Sequence, residues 1–190
     1  MAIIEELFGV HWYNSPTTNE REIELPMAKH YLSKHHKNFK SVIELGAVTC
    51  YYYAIHHNII DLMDKHPLVT FRMNAHDFDF TNLNVLSIST IEHIEEGYKV
   101  IDRIFKTAKS WFITIPIGFN PELDEWLQEN TPPGNMFFLL KTGEGWIPLV
   151  ENCWGYPAKR ETAPAKSLCV MSNEFGIDDF YPDYMVYANG

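Results

Sequence analysis

A chain of 190 residues and 22.1 kDa has the length of one domain with one core, so residues 1–190 are treated as a single domain. Its 46% hydrophobic and 14% aromatic residues, against 21% charged, exclude wholesale disorder. The net charge of -10 argues against a nucleic-acid partner, because a phosphate backbone would be repelled.

The sequence shows neither a membrane span nor a signal peptide. No apolar run approaches the roughly 20 residues that a bilayer span needs, and Glu5 and Glu6 stand where a signal peptide would be basic. We therefore expect a cytoplasmic protein without a membrane partner. Cys50, Cys153 and Cys169 form no CxxC pair, which predicts buried free thiols. No Asp, Glu, His set has ligand spacing, and no metal is predicted.

The first 40 residues predict a segment that is irregular and then helical. Residues 11–19 are rich in Asn, Ser, Thr and Pro, which is typical of irregular chain. Pro26 is expected to open a helix whose apolar side carries Met27 and Tyr31 and which ends at His35.

Apolar runs then alternate with turns. The connection between the second and third runs is too short for a parallel crossover, so the third strand is expected to be short or irregular. The predicted strands of this half cover residues 42–45, 58–62, 68–73 and 84–89.

A long amphipathic helix is predicted over residues 91–108, where apolar residues recur at helical spacing. Ser89 and Glu92, three residues apart, fit a capping box at its start. Beyond it we expect a strand at 111–115, a helix at 121–129, and strands at 136–141 and 167–172 that pair antiparallel.

This order predicts an α/β fold with a mostly parallel sheet, in which residues 42–45 are central and helices cover both faces. In such sheets a ligand lies outside the carboxyl ends of the strands, at the topological switch point. The residues expected there are 44–49, Asp61, 74–77, 87–93 and 116–120.

Three stretches resemble the class I S-adenosylmethionine-dependent methyltransferases. They are "VIELGAVTC" at 42–50, "SISTIEHI" at 87–94 and "WFITIPIGFNPELD" at 111–124. The resemblance implies a Rossmann-like three-layer sandwich with a C-terminal antiparallel hairpin, S-adenosylmethionine as cofactor, and methylation of an oxygen or nitrogen. It is closest to a short subgroup associated with glycan and cell-surface biosynthesis, which implies a small-molecule or sugar-type acceptor. A homodimer is the assembly left open.

The same resemblance implies a set of cofactor-binding residues at the turns. Glu44, Gly46 and Ala47 form the first motif, and Asp61 takes the place of the carboxylate that accepts hydrogen bonds from both ribose hydroxyls. For Gly46 the alternative is an ordinary strand-to-helix turn, and for Asp61 an exposed turn residue.

Asn74 and Ala75 are placed at the adenine and Ser89 at the fourth-strand motif, although Asn at a strand end is also a common turn former. His93 is predicted as the general base, because imidazole titrates near neutral pH and the residue follows the strand that faces the methyl donor. The alternative is a histidine that only orders the loop. Glu92 is assigned to the cap rather than to catalysis.

The acceptor pocket is predicted from aromatic side chains and one loop. It combines residues 116–120 with Trp12, Tyr13, Trp146 and Trp154, since aromatic faces suit sugar rings.

A second hypothesis is that the chain is a non-catalytic member of the same fold that acts as a binding or assembly subunit. Val48 and Cys50 occupy places where the family has further glycines, and the acidic, aromatic tail at 174–190 is suited to docking on a partner.

Overall fold

The computed structural model of the chain describes residues 19–143, 145–149, 154 and 165–181. The predictions made for Trp12, Tyr13 and Cys153 fall outside these residues. Within them, no helix is long and apolar enough to cross a bilayer. Cys50 and Cys169 are buried free thiols, as predicted.

The regular elements are numbered in chain order. The α-helices are α1 (Arg21–Lys34), α2 (Gly97–Thr107) and α3 (Pro121–Glu129). The strands are β1 (Val42–Leu45), β2 (Asn58–Ile60), β3 (Asn84–Ile88), β4 (Ser110–Pro116), β5 (Asn135–Thr142), β6 (Gly145–Leu149) and β7 (Ser167–Ser172). Short 3-10 helices cover His36–Ser41, Thr49–Tyr51, Ala75–Asp77, Ile91–His93 and Ile177–Asp179.

The strands of the described residues form one seven-stranded sheet in the order β2-β1-β3-β4-β7-β5-β6. The first four run parallel, and β7 is antiparallel to both β4 and β5. The predicted α/β class is therefore confirmed, with a Rossmann-like parallel half and a C-terminal antiparallel pair. The expectation that residues 42–45 are central is wrong, because β1 is second from the edge and β4 is the middle strand.

Helices cover the two faces of the sheet and pack on two of the three hydrophobic clusters that the described residues form. On one face α2 and α3 bury Ile101 and Leu127 against alternate strand residues. On the other, α1 buries Met27 and Tyr31, which are 1% and 0% exposed. We call these the α2/α3 face and the α1 face. Successive strand residues point to opposite faces, so β3, β4, β5 and β7 each contribute to the clusters on both faces.

The helix α1 begins at Arg21, not at Pro26 as predicted. The side-chain oxygen of Asn19 accepts a hydrogen bond from the Arg21 amide at 3.1 Å, and Glu22 and Glu24 place negative charge in the first turn. Pro26 lies inside the helix. Its ring nitrogen carries no hydrogen, so it cannot donate to the carbonyl four residues earlier.

The long helix predicted from residue 91 is divided. A 3-10 turn at Ile91–His93 is followed by α2, whose cap Glu96 has a φ of 52°. The capping box of Ser89 and Glu92 is wrong, because the Ser89 hydroxyl donates to Glu24 and Glu92 is drawn into the interior.

The expected third strand is reduced to one parallel bridge between Ile60 and Phe71. The few residues after β2 cannot carry a full crossover. Residues 46–57 make the connection from β1 to β2 with a 3-10 turn and no α-helix. The hairpin strand β6 was not predicted, because Pro148 and two glycines are typical of a turn.

The described part of the C-terminal tail packs against the α1 face of its own chain. Phe175 is 5% exposed and its ring centroid lies 4.8 Å from that of His30. The Tyr181 hydroxyl donates to the carbonyl of Trp146 at 3.3 Å. Residues 174–181 therefore pack on their own domain through Phe175 and Tyr181, and the prediction of a docking tail is left to residues 182–190, outside the described ranges.

Replacing Gly97 with alanine should destabilise the protein by about 1–3 kcal/mol, as overpacking does. A Cβ there would lie 2.5 Å from the backbone oxygen of Ile91, which cannot move without the 3-10 turn. Urea unfolding measures the effect. The control is Gly143→Ala, where a Cβ meets nothing within 4 Å and stability should stay within about 0.5 kcal/mol. Equal stability of the two variants would contradict the packing described.

Candidate functional site

Most of the predicted site residues lie at one end of the sheet, where the parallel strands have their carboxyl ends. In the sheet β1 lies between β2 and β3, so the chain leaves β1 toward one side and later returns on the other. This is the topological switch point, where such sheets bind ligands. Gly46 follows β1, Asp61 follows β2, and Ser89 and Thr90 follow β3.

The turn after β1 requires its glycine for two reasons. Gly46 has a φ of +90°, and a Cβ built there would lie 2.1 Å from the Thr90 side-chain oxygen. The Gly46 amide donates to the Ile60 carbonyl at 3.0 Å, which ties the turn to the end of β2. Thr90 therefore lies in direct contact with the glycine turn from the β3 side.

Glu44 is fully buried and accepts four hydrogen bonds from the segment that follows it. One carboxylate oxygen accepts from the amides of Val48 and Thr49, at 3.1 and 2.7 Å. The other accepts from the Thr49 hydroxyl and from His57 Nε2, the latter at 2.7 Å. A carboxylate has about four lone-pair sites, so Glu44 is saturated. A direct bond from Glu44 to a cofactor would have to displace one of these donors.

Asp61 makes the matching connection from β2. Its Oδ2 accepts from the Ala47 amide at 3.0 Å, and its Oδ1 accepts from the amides of Met63 and Asp64, both at 2.8 Å. The side chain is half-buried. Three of about four lone-pair sites are used, which leaves one for a ligand hydroxyl. The predicted contact with two ribose hydroxyls would therefore require Asp61 to give up a backbone donor.

The loop predicted at the adenine is built as a capped turn. Asn74 is exposed, and its side-chain oxygen accepts from the His76 amide at 3.0 Å. Ala75 is buried. The Arg103 guanidinium, from α2, donates to the carbonyls of Ala75 and His76, both at 2.5 Å. These two hydrogen bonds fix the loop to the α2/α3 face at the same end of the sheet.

A buried polar cluster joins α1 to the ends of β3 and β4. Glu24, 0% exposed, pairs with Arg21 through one oxygen. Its other oxygen accepts from the hydroxyls of Ser89 and Thr114, both at 2.5 Å. Ser89 is buried and has a φ of 39°. Because its hydroxyl binds Glu24, the residue that is predicted at the cofactor also contacts α1.

Sequence reasoning missed Arg21, Glu24 and Thr114. A signal for Glu24 was present, because it precedes Met27 and Tyr31 by three and seven residues and so shares the buried side of α1. Arg21 and Thr114 carried no comparable signal.

Two buried polar atoms in this region have no hydrogen-bond partner among the described residues. They are Nε of Arg21 and Oε2 of Glu92, on residues that are each 6% exposed. Burial raises the pKa of Glu92 well above its ordinary value, with the neighbouring Glu24 acting in the same direction. Burial also raises the pKa of Tyr52 to about 12, against a hydrogen bond with Arg21. One buried donor and one buried acceptor are thus without a partner among the described residues and are available to a ligand.

His93, the predicted base, lies at the rim of this region. Its side chain is 70% exposed, and its Nε2 lies 3.6 Å from Glu92 Oε1. Partial desolvation and the positive charge of Arg21 lower its pKa, which favours the neutral form that a base requires.

The loop at residues 116–120 is fixed between β4 and α3. The Asp124 carboxylate accepts from the Gly118 amide at 2.6 Å, and Asn120 caps α3 by accepting from the Leu123 amide at 3.1 Å. The Asn120 side chain also donates to the backbone oxygen of Glu92 at 3.1 Å. The loop after β4 is therefore coupled to the loop after β3.

Of the aromatic side chains predicted for the acceptor pocket, the two that the structure describes lie on opposite faces of the sheet. Trp146 packs into the α1 face, and Trp154 packs on the α2/α3 face with its ring centroid 5.0 Å from that of Phe138. Of the predicted pocket, the loop at 116–120 lies at the edge of the site. In the described part of the chain, no group of three or more His, Cys, Asp or Glu side chains is arranged to hold a metal ion.

Comparisons with known proteins give remote structural likenesses. No profile of a known protein family matches the chain, and no curated protein matches its sequence. Thermoplasma acidophilum 1320 is 12% identical with a TM-score of 0.39, over 80% of this chain and 95% of that one. A chain of the Pnkp1/Rnl/Hen1 RNA repair complex is 9% identical at 0.36, over 77% and 41%. The plantazolicin methyltransferase BpumL, solved with SAH, is 8% identical at 0.37, over 89% and 96%. At these TM-scores the fold assignment depends on the strand order of the chain itself.

Replacing Glu44 with glutamine should lower the free energy of unfolding by about 2–4 kcal/mol, because an amide donor would face the donors of Thr49 and His57 inside the core. Urea unfolding measures the loss, and hydrogen exchange at the Val48 and Thr49 amides should become faster. Glu125→Gln, an exposed change on α3, is the control and should stay within about 0.5 kcal/mol. Undiminished protection of both amides would argue against the four-donor arrangement.

The pH dependence of stability should carry a contribution from Asp124. Burial raises its pKa from 3.8 to about 6, so the folded state holds a proton that the unfolded state has lost. Stability should therefore fall as pH rises from about 4 to about 6, by at most about 3 kcal/mol. Asp124→Asn should remove this part of the decline. Identical pH curves for the two proteins, from thermal unfolding between pH 4 and 8, would show that Asp124 titrates normally.

Proposed function

We propose that the chain is an S-adenosylmethionine-dependent methyltransferase that methylates an oxygen or nitrogen of a sugar-type or other small acceptor, within glycan or cell-surface biosynthesis. The observation that carries the proposal is the pairing of a left-handed glycine turn after β1 with a carboxylate, Asp61, at the end of β2. In Rossmann-like sheets an acidic residue at this place binds the ribose of an adenosine ligand.

The residues at the switch point fit such a ligand. Asp61 keeps one acceptor site for a ribose hydroxyl, and the loop of Asn74 and Ala75 is fixed at the same edge for the adenine. The orphan Nε of Arg21 supplies a buried donor for the carboxylate at the amino-acid end. When bound, S-adenosylmethionine supplies a methyl group on a cationic sulfur, which is already a good leaving group.

The contribution of the protein to this reaction is mainly alignment and exclusion of water. Glu24 fixes α1 against the ends of β3 and β4, and Asn120 fixes the loop after β4 to the loop after β3. A transfer that needs little covalent help can proceed on such alignment of donor and acceptor.

The nature of the acceptor is supported by charge and by resemblance. The net charge of -10 disfavours an RNA or DNA acceptor, and the stretches at residues 43–46, 87–93 and 115–124 together resemble a subgroup associated with glycan and cell-surface biosynthesis. We therefore propose a sugar or nucleotide-sugar acceptor that enters beside the loop at residues 116–120.

The second candidate is a non-catalytic domain of the same fold, and one observation favours it. Every backbone amide from Gly46 to Thr49 already donates within the chain, to Ile60, Asp61, Gly46 or Glu44. A turn without free donors has less to offer a cofactor than an open glycine turn.

Calorimetric titration with S-adenosylhomocysteine separates the two candidates. For the enzyme we expect a dissociation constant near the micromolar range, about -8 kcal/mol, on protein freed of copurified ligand. A flat titration, with the protein shown to be folded by its unfolding transition, would favour the non-catalytic domain.

Asp61→Ala should weaken S-adenosylhomocysteine binding by about 1.5–3 kcal/mol, the value of a hydrogen bond to a charged group. The control is Asp79→Ala, which removes an exposed carboxylate that likewise accepts from a backbone amide, that of Thr81, away from the switch point. Because Asp61 also supports the turn, the titration is repeated with a ligand that lacks the ribose hydroxyls. An equal loss with both ligands would remove Asp61 from ribose binding.

A further inference from the structure

Glu92 is a buried carboxyl group of the site that lacks a complete set of partners among the described residues. Its side chain is 1% exposed and its Oε2 has no hydrogen-bond partner among the described residues, while its Oε1 lies 3.6 Å from His93 Nε2. A fully buried carboxyl oxygen without a partner is costly unless a ligand or water serves it.

The place of Glu92 puts this oxygen between the elements that form the site. It lies two residues beyond Thr90, which contacts the glycine turn, and its backbone oxygen accepts from Asn120 in the loop after β4. Glu20, the N-cap of α1, and Arg21 and Glu24 in its first turn act on it electrostatically. Glu92 therefore lies where the ends of β1, β3 and β4 meet the start of α1.

We propose that Glu92, through its unpartnered Oε2, accepts the proton that the methyl acceptor loses. The proposal rests on the proposed methyltransferase function. In the step, the acceptor oxygen or nitrogen forms a bond to the methyl carbon, and the bond from that carbon to sulfur breaks with its electron pair left on sulfur. The acceptor's proton passes to the Glu92 carboxylate, which becomes a neutral acid.

The structure favours Glu92 over His93 for this role. The imidazole is 70% exposed and its Nε2 is directed at Glu92 Oε1, so the histidine is placed to exchange the proton between the buried acid and water. We accordingly assign His93 as a positioning and relay residue.

The charge state of Glu92 depends on its neighbours in a way that suits this role. Burial and the carboxylates of Glu24 and Glu20 raise the pKa of Glu92, while Arg21 lowers it. His93 on its own turn adds positive charge only when protonated. A cation brought close to Oε2 would lower this pKa and release the proton. The sulfonium of S-adenosylmethionine is such a cation, whereas S-adenosylhomocysteine has a neutral sulfur and the same charged amino-acid end.

The test counts the protons released when each of these two ligands binds. Calorimetric titrations in phosphate and in Tris, whose ionisation enthalpies differ, give the number of protons released at each pH. We expect S-adenosylmethionine to release more protons than S-adenosylhomocysteine, with a difference of up to about one per site. The difference should vanish in Glu92→Gln and persist in Glu95→Gln, an exposed change three residues on. It should also persist in His93→Gln.

Each outcome is decisive. Equal proton counts for the two ligands in the wild-type protein, or a difference that survives in Glu92→Gln, would overturn the role of Glu92 while leaving the methyltransferase function in place. A difference that vanishes in His93→Gln instead would return the role to the histidine. No binding of either ligand would overturn the proposed function itself. If Glu92→Gln unfolds, the infrared band of a protonated carboxylic acid in the wild-type protein serves instead, and it should be weaker with S-adenosylmethionine than with S-adenosylhomocysteine.

Discussion

The hydrogen bonds to the buried carboxylate of Glu44 hold the first crossover of the sheet together. Two amides, a hydroxyl and an imidazole converge on it from the twelve-residue connection between β1 and β2, a connection without an α-helix. Because these donors are satisfied there, the chain can turn at Gly46 and return beside β1 within a short span. The turn in turn sets the distance from β1 to Asp61, whose carboxylate binds the Ala47 amide. The side of the candidate site that we propose to bind adenosine thus depends on one buried carboxylate.

The side at which we propose methyl transfer depends on a second buried carboxylate, that of Glu24. It binds hydroxyls at the ends of β3 and β4 and pairs with Arg21, so the start of α1 is fastened over the switch point. The cluster contains more acidic than basic side chains, counting Glu20 and Glu92 with Glu24 against Arg21. Burial and these acidic neighbours raise the pKa of Glu92, and an acidic cluster suits a cationic sulfonium. The position of Glu92 and the absence of a partner for its Oε2 among the described residues support the role that we propose for it.

Elements with a single strong local signal could be predicted from the sequence. The helix α3 begins at Pro121 with Asn120 as its cap, and β7 is an uninterrupted apolar run, so both have the predicted bounds. The start of α1 could not, because Pro26 is a strong helix-start signal while the actual start depends on Asn19 and on burial of Arg21 and Glu24.

The location of the candidate site could be predicted from the sequence, whereas the partners of its individual side chains could not. The turns after β1, β2 and β3 meet at one edge because parallel strands place them there. The partners of Glu44, Ser89 and Glu92 were not predictable, because each bonds or packs against residues far along the chain or in another element. Glu92 illustrates the difference: three residues beyond a serine it fits a cap, yet tertiary packing draws it inward and leaves its oxygen for another partner.

A crystal structure of the chain soaked with S-adenosylhomocysteine tests the central claim most directly. The account predicts the adenosine beside Gly46 and Asp61, with the sulfur directed toward Glu92 and the amino-acid end toward Arg21. Density for the ligand elsewhere, such as in the cleft of about 350 Å³ beside Lys29 and His56, or an empty switch point at saturating ligand, would contradict it.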